Sequence, residues 1–294
     1  MKKVICFGEI LWDNLPSGRL AGGAPMNVAY HLRKLGIDSS MLSRVGNDVA
    51  GKDLQNFIAS IGIPTNLVQL DQVQSTSEVI AELKANNEMS YTIVYPTAWD
   101  FITWENNYAQ ELSDTDAFLF GSLASRHETS RNTLFQLLEY AKFSIFDVNL
   151  RAPHYKQSLI GDLLKKANIV KLNENEIVVL GNWFTNFSEE QDQVKSLLDQ
   201  FDIAEIVVTK GAQGSTYYNQ DTHIHQSAVK VNVVDTVGSG DSFLAGFISK
   251  KLAGEKIEDC LNFASTLGAF ITTYAGACPA YQVSDLIEFK KRLS

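Results

Sequence analysis

The chain has 294 residues, 45% of them hydrophobic and 20% charged, with a formal net charge of −9. That is a globular composition, and the length fits one large α/β domain or two smaller ones. The acidic balance argues against a nucleic-acid surface and makes any site for anionic phosphates a local exception. Cys6, Cys260 and Cys278 show no C-x-x-C spacing and read as small buried hydrophobes in a reducing cytosol. The histidines offer no metal-ligand spacing, and no apolar run approaches the roughly 20 residues of a membrane helix.

The opening, MKKVICFGEILWD, has only a short apolar run broken by Gly8 and Glu9, so it reads as a first strand and not as a signal peptide. Further strand-length apolar runs follow at AFLFG (117–121), FSIFDV (143–148), NIVKL (168–172) and EIVVT (205–209). Helical periods lie between them, at NVAYHLRKLG (27–36), RNTLFQLLEYA (131–141) and QSLIGDLLKKA (157–167). This alternation predicts βαβ crossovers and a doubly wound, mainly parallel sheet flanked by helices. Beyond residue 239 the chain reads as mostly helix. Two stretches break the rhythm, Leu11–Leu20 and EVIAELKANNEMSYTIVY (78–95), the latter reading as two strands around Asn86–Asn87. They are assigned to a small antiparallel β-lid, formed by about 11–20 and 78–101, as an excursion from a single domain covering 1–294.

The segment VVDTVGSGDSFLAGF (233–247) sets Gly238 and Gly240 directly before an apolar helix. Small residues there uncover the backbone N–H groups of 238–241 at the positive end of the helix, which makes an anion site. Asp241 then stands in the first helical turn. A dinucleotide fingerprint fails, because Phe243 occupies the third glycine position and the segment does not follow the first strand. A Walker A loop fails because no G-x-x-x-x-G-K-[ST] string exists. Two readings remain open on the residues alone. Asp241 is a capping acid, or it is a base that takes a proton from a nucleophilic hydroxyl while the N–H groups stabilise a transferring phosphoryl.

DTVGSGDSFLAGF resembles the C-terminal signature of the ribokinase-like (PfkB) sugar kinases, and AGGAPMNVAYHLRKLG (21–36) resembles their N-terminal one. The resemblance continues in family order through GEILWD (8–13), DVNLR (147–151), KLNENE (171–176), VTKGAQGS (208–215) and GAFITTYAGACPA (268–280). It implies a ribokinase-like fold and an ATP-dependent kinase using magnesium, with Asp241 as catalytic base and Gly238, Ser239 and Gly240 as anion hole. It further implies Asp13, Gly23, Asn27 and Arg151 as sugar contacts, Asn173 and Glu176 as the N-x-x-E element linked to magnesium-bound waters and phosphate, and Thr209, Gly211 and Gly214 on the nucleotide side. Potassium ringed by carbonyls near Asp235, Val237 and 271–276 is the cation that many relatives carry. An open sheet does present ligands just after its first strand, where Asp13 stands. A carboxylate there can accept two hydroxyls, and Gly22–Gly23 would admit a ligand close to the backbone.

Bland alternatives accompany these roles: a turn acid for Asp13, a structural ion pair for Arg151, helix-start capping for Asn173 and Glu176, and a solvated surface residue for Lys210. Where the family often carries a nucleotide-facing Asn on its late helix, Ser265 stands here, with Asn262 one turn away. FGSLAS (120–125) lacks the acid ribokinases use against ribose, whereas GE-x-x-x-D and DVNLR are closer to fructokinases and ketodeoxygluconate kinases. The expectation is a cytoplasmic kinase acting on fructose, with a ketodeoxygluconate kinase, a nucleoside kinase or an inactive sugar sensor as rivals. Specificity is expected from Trp12, Tyr95, Trp99 and Phe101, and a homodimer from two lids packing together, since a two-stranded lid is marginal alone.

Overall fold

In the computed structural model of the chain, which describes residues 1–15, 18–83 and 89–293, successive side chains of the first strand, β1 (Lys3–Phe7), enter two different cores. Val4 and Cys6 belong to one and Ile5 and Phe7 to the other. A pleated strand sends neighbours to opposite faces, so an unbroken apolar run implies helices on both sides.

The chain continues through β2 (Leu11–Leu15), β3 (Gly18–Gly22), α1 (Ala24–Lys34), β4 (Asp38–Gly46), α2 (Val49–Ser60), β5 (Val68–Asp71), β6 (Ser77–Leu83), β7 (Met89–Ile93) and α3 (Tyr108–Ser113). Next come β8 (Ala117–Gly121), α4 (Glu128–Leu138), β9 (Ser144–Asp147), α5 (Gln157–Leu164), β10 (Ile169–Asn173), α6 (Glu174–Phe184) and α7 (Glu190–Phe201). The last third holds β11 (Glu205–Thr209), β12 (Ser215–Tyr218), β13 (His223–Gln226), α8 (Ser239–Leu252), α9 (Ile257–Ile271) and α10 (Val283–Leu293).

Nine strands form the main sheet in the order β13-β12-β11-β10-β9-β8-β1-β4-β5. All pairings are parallel except β11–β12 and β12–β13, which are antiparallel and close one edge. The helices α1, α2, α8, α9 and α10 cover one face and α3 to α7 the other. The expected doubly wound parallel sheet is present, and each of the apolar runs read as strands lies in it. No helix among the described residues is long and apolar enough to cross a membrane.

The lid is a four-stranded sheet in the order β3-β2-β6-β7. Both hairpin pairings are antiparallel, while β2 and β6 run parallel across the middle. The expected turn at Asn86–Asn87 lies outside the described residues. The far boundary differs from the expected 101: the last lid strand ends at Ile93, and Ala98–Phe101 is a 3-10 turn built into the main body. The reason is burial and charge. Trp99 is wholly inaccessible in the α3–α7 core, and Asp100 forms a buried ion pair with Arg126 (2.7 Å) that no lid strand could shelter.

Candidate active site

Between lid and sheet lies a cleft of about 910 Å³, at the carboxyl ends of the parallel strands. Leu11, Asp13, Val79 and Ile93 descend from the lid as its roof. Its floor combines Glu9 after β1, Asn149 and Arg151 after β9, Lys171 and Asn173 at the end of β10, Thr209 at the end of β11, and the mouth of α8.

That mouth is shaped by Gly238, the N-cap of α8, whose φ of 75° lies in the left-handed region. A Cβ on Gly238 would collide with Ala277, and one on Gly240 would press within 3.2 Å of the Lys171 ammonium. The Ser239 N–H turns back to the Thr236 carbonyl (3.2 Å) and Ser242 begins the helical ladder to Gly238 O (2.8 Å). The Gly238, Gly240 and Asp241 N–H groups have no partner among the described residues and no side chain caps the helix, so of the expected anion hole of Gly238, Ser239 and Gly240 only the Ser239 N–H is already taken. This is an uncapped positive end opening into a cleft.

Asp241 lies there too, and its carboxylate does not cap the helix. It accepts a hydrogen bond from Asn27 Nδ2 (2.8 Å), a residue of α1 214 positions away. Burial raises its pKa to about 6, Asp147 pushes the same way, and Lys171, Asn27 and Arg151 pull against them. A carboxylate titrating just below neutrality is ionised at pH 7 yet basic enough to take a proton. Of the two readings open in the sequence, the capping acid does not match the geometry.

Beneath the glycine turn, Lys171 and Asp147 form a buried ion pair (3.0 Å) from directly opposed positions of β10 and β9. Burial pulls the Lys171 pKa down, but Asp147, Glu176 and Asp241 outweigh it and the net shift is upward. Glu9, buried, is driven up to about 7 mainly by desolvation, and its Oε2 has no partner among the described residues. Sequence reasoning quoted the strings containing Glu9, Asp147 and Lys171 but gave these residues no role. The available signal was, for Asp147 and Lys171, a charge inside strands that otherwise read as apolar and, for Glu9, a charge just after such a strand.

Most residues singled out in the sequence line this one cleft: Asp13, Gly23, Asn27, Arg151, Asn173, Thr209, Gly211, Gly214, Val237, Gly238, Ser239, Gly240 and Asp241. Glu176 and Asp235 do not. Glu176 sits behind the wall, its two oxygens accepting from the N–H groups of Leu150 and Asn173 (both 2.8 Å). Asn173 accepts in turn from Asn175 and Glu176 N–H, so the pair is a capping box at the start of α6. Asp235 clips its own loop, accepting from Val237 N–H (3.0 Å) and Gly276 N–H (2.9 Å). Arg151 lies at the exposed rim and forms no ion pair among the described residues, contrary to its structural alternative. Lys210 departs from its surface reading, because Glu190 holds it (2.6 Å) in a partly buried site.

The glycines 22–23 serve the protein itself: a Cβ at Gly22 would occupy the place of the Asp13 carboxylate, and one at Gly23 would strike the Glu9 backbone. Ser265, and not Asn262, lines the cleft from α9, together with Gly268 and Ala269. None of the four expected specificity aromatics lines the cleft. Trp12 packs on Phe57 and donates its indole N–H to Ala50 O (2.9 Å), and Trp99 is core. Phe101 lies against His127, and Tyr95 covers Arg126.

The sequence profile of the pfkB family of carbohydrate kinases matches residues 18–283. The chain belongs to that family. Among relatives of this pfkB kinase, Escherichia coli fructokinase is 30% identical over 317 residues, covering 98% of this chain and 99% of the relative. A double-mutant Vibrio cholerae fructokinase solved with fructose, ADP and a potassium ion superposes with a TM-score of 0.84, covering 98% of each chain at 24% identity. The aminoimidazole riboside kinase of Salmonella enterica, solved with its riboside and an ATP analogue, gives a TM-score of 0.82 at 25% identity over 100% of each chain.

Proposed function

We propose that this pfkB kinase transfers the γ-phosphoryl group of ATP to a hydroxyl of fructose, with Asp241 as the general base. The observation that carries the reading is the Asp241 carboxylate, held by Asn27 at the unsatisfied mouth of α8 instead of capping it. Fructose is taken from the fructokinase relatives and from the absence of an acid in the 120–125 strand end.

In this reading Asp13, Gly23, Asn27 and Arg151 surround the sugar, whose reacting hydroxyl lies against Asp241. The proton passes to the Asp241 carboxylate as the new oxygen–phosphorus bond forms and the bond from the γ-phosphorus to the ADP oxygen breaks, ADP leaving with that electron pair. The N–H groups of Gly240 and Asp241, with Lys171 behind them, meet the charge on the moving phosphoryl group. Thr209, Gly211 and Gly214 line the nucleotide side, and Val231, Val233 and Val237 give it an apolar wall.

The residues fit a magnesium ion. Four carboxylates, Glu9, Asp147, Glu176 and Asp241, interact with only two cations, Lys171 and Arg151, a negative excess that would repel a bare triphosphate. The described residues hold no cluster of three or more His, Cys, Asp or Glu side chains able to cage a metal, which suits an ion carried largely by phosphates and water with Asn173 and Glu176 nearby. When bound, magnesium would neutralise the phosphate oxygens. We also place a potassium ion among the backbone carbonyls of the Asp235–Val237 loop and 271–276, two segments joined by Val234 and Asp235 N–H donating to Thr272 O (2.8 and 3.2 Å). Equal rates in potassium and tetramethylammonium would refute that site. Its three free thiols suit a reducing cytoplasm, and two lids packed together in a homodimer would cover the sheet face that one lid leaves open.

Replacing Asp241 with Asn keeps size and removes the proton acceptor. General-base catalysis is worth about 10²–10⁴-fold, so kcat falls by that order with the fold intact and ATP binding held or improved. A kcat within about fivefold of wild type, well under that range, sinks the mechanism. A panel of sugars in a coupled ADP assay tests fructose, and ADP release with none of them would mark a sensor.

A further inference from the structure

Asn27 has both ends of its amide committed. Its Nδ2 donates to Asp241 Oδ2 (2.8 Å), and its Oδ1 accepts from the thiol of Cys278 (3.3 Å). We propose that Asn27 and Cys278 form a positioning pair for the catalytic base, in which the Cys278 S–H fixes the orientation of the Asn27 amide and the amide fixes Asp241. The proposal rests on the reading of Asp241 as base.

An amide can flip end for end, and the two orientations are not equivalent here. Flipped, Asn27 would turn its carbonyl oxygen toward the Asp241 carboxylate, two acceptors facing each other without a proton between them. A thiol on the other side selects the productive orientation, because its hydrogen needs an acceptor and Oδ1 supplies one. The thiol must stay protonated for this. Burial holds the Cys278 pKa well above its usual range and the Asp241 charge pushes it further, so the S–H persists at any working pH.

The backbone on either side of Cys278 is clamped to the helix that carries Asn27. His31 Nε2 meets Ala277 O (2.9 Å), Tyr30 OH donates to Pro279 O (2.5 Å), and Tyr281 OH meets His31 Nδ1 (3.1 Å). Asn27, Tyr30 and His31 are spaced three and four apart on α1, hence on one helix face. Ala277 is also the residue against which Gly238 must lack a side chain. One short segment, 277–281, therefore registers the base, the helix that orients it and the glycine turn of the anion hole. In the sequence Cys278 read as a buried hydrophobe, but it is only partly buried and reaches the cleft wall through Asn27.

The test is the pH profile of kcat/KM for Asn27→Ala, Cys278→Ala and Cys278→Ser, with Asp241→Asn as control. The charged and titratable groups facing Asp241 are Asp147, Lys171, Arg151, Glu9 and Cys278 itself. All but the last remain in every positioning variant, so a change between them reports the pair. The Asn27 hydrogen bond lowers the Asp241 pKa. Its loss therefore moves the acid limb upward, by about one pH unit for a hydrogen bond to a charged group. Cys278→Ala gives a smaller shift in the same direction and a loss in kcat of about three- to tenfold, the size of one neutral hydrogen bond, with KM for ATP unmoved. Cys278→Ser keeps a donor and recovers part of both effects. Ala is the better apolar filler and Ser the better donor, so mere packing predicts the reverse ranking. A Cys278→Ala profile that superposes on wild type, or a Ser variant no better than Ala, overturns the proposal while Asp241→Asn remains inactive. An active Asp241→Asn enzyme instead removes the base reading, and the positioning pair with it.

Discussion

The floor and the roof of the cleft are built on different physics. The floor is the carboxyl edge of a sheet covered on both faces, where charged groups are buried and tied to one another: Lys171 to Asp147, Asp241 to Asn27, Glu176 to two backbone N–H groups. The roof is a four-stranded sheet with partly exposed edges, and the side chains it sends down are a carboxylate, Asp13, among aliphatic ones. A floor of this kind holds a fixed charge pattern for one type of reaction. A roof of this kind chooses what is brought to it. Chemistry and selectivity can thus change separately, and substitutions on the two sides should fail in different ways.

The largest effect is expected in the floor. Lys171→Met keeps the length of the side chain but leaves Asp147 as an unpaired buried charge. Removing one partner of a buried pair costs about 3–5 kcal/mol, to be read as a drop in unfolding free energy in denaturant, along with loss of turnover. A change under about 1 kcal/mol, the range of exposed pairs, would mean that solvent screens the pair. In the roof, Asp13→Ala should leave stability unchanged and raise KM for the sugar by about tenfold or more, the loss of hydrogen bonds to a charged acceptor. An equal rise in KM for ATP would erase the distinction between floor and roof. The smallest expected effect sharpens it. Burial raises the Asp241 pKa from 3.8 to about 6, so its ionisation opposes folding: the folded state binds the proton more tightly, and stability falls as pH rises through that window. Asp241→Asn removes the ionisation and should raise the melting temperature slightly at pH 8 but not at pH 4. The proposed lid dimer is checked by light scattering, where a monomer mass across micromolar concentrations refutes it.

The same contrast explains what the sequence disclosed. The strand β1 declared itself because Val4, Ile5, Cys6 and Phe7 fill both cores, and so short and unbroken an apolar run, ended by Gly8, suits a doubly covered strand better than a helix. The glycine turn declared itself because Gly238 alone satisfies a left-handed N-cap against Ala277. The Lys171–Asp147 pair did not, since its meaning lies in the register of two strands 24 residues apart. Neither did the boundary of the lid. The sequence of 94–101 is as aromatic as a lid should be, and only the buried Asp100–Arg126 pair assigns it to the body. Asn27 was singled out for a sugar, yet its visible partners are Asp241 and Cys278, both more than 200 residues away.

That separation bears on how the protein is made. Asn27 leaves the ribosome 214 residues ahead of Asp241, and at roughly 5–20 residues per second the interval is about ten to forty seconds. Throughout it, the face of α1 that will pack on α8 has no partner, and a cleft carrying Asp13 and Arg151 lacks the proposed base. If Asp241 is the base, an unfinished chain can therefore be born with much of its parallel sheet in order and still be unable to consume ATP, because the last helices deliver both the proposed acceptor for the proton and the closing face of the core.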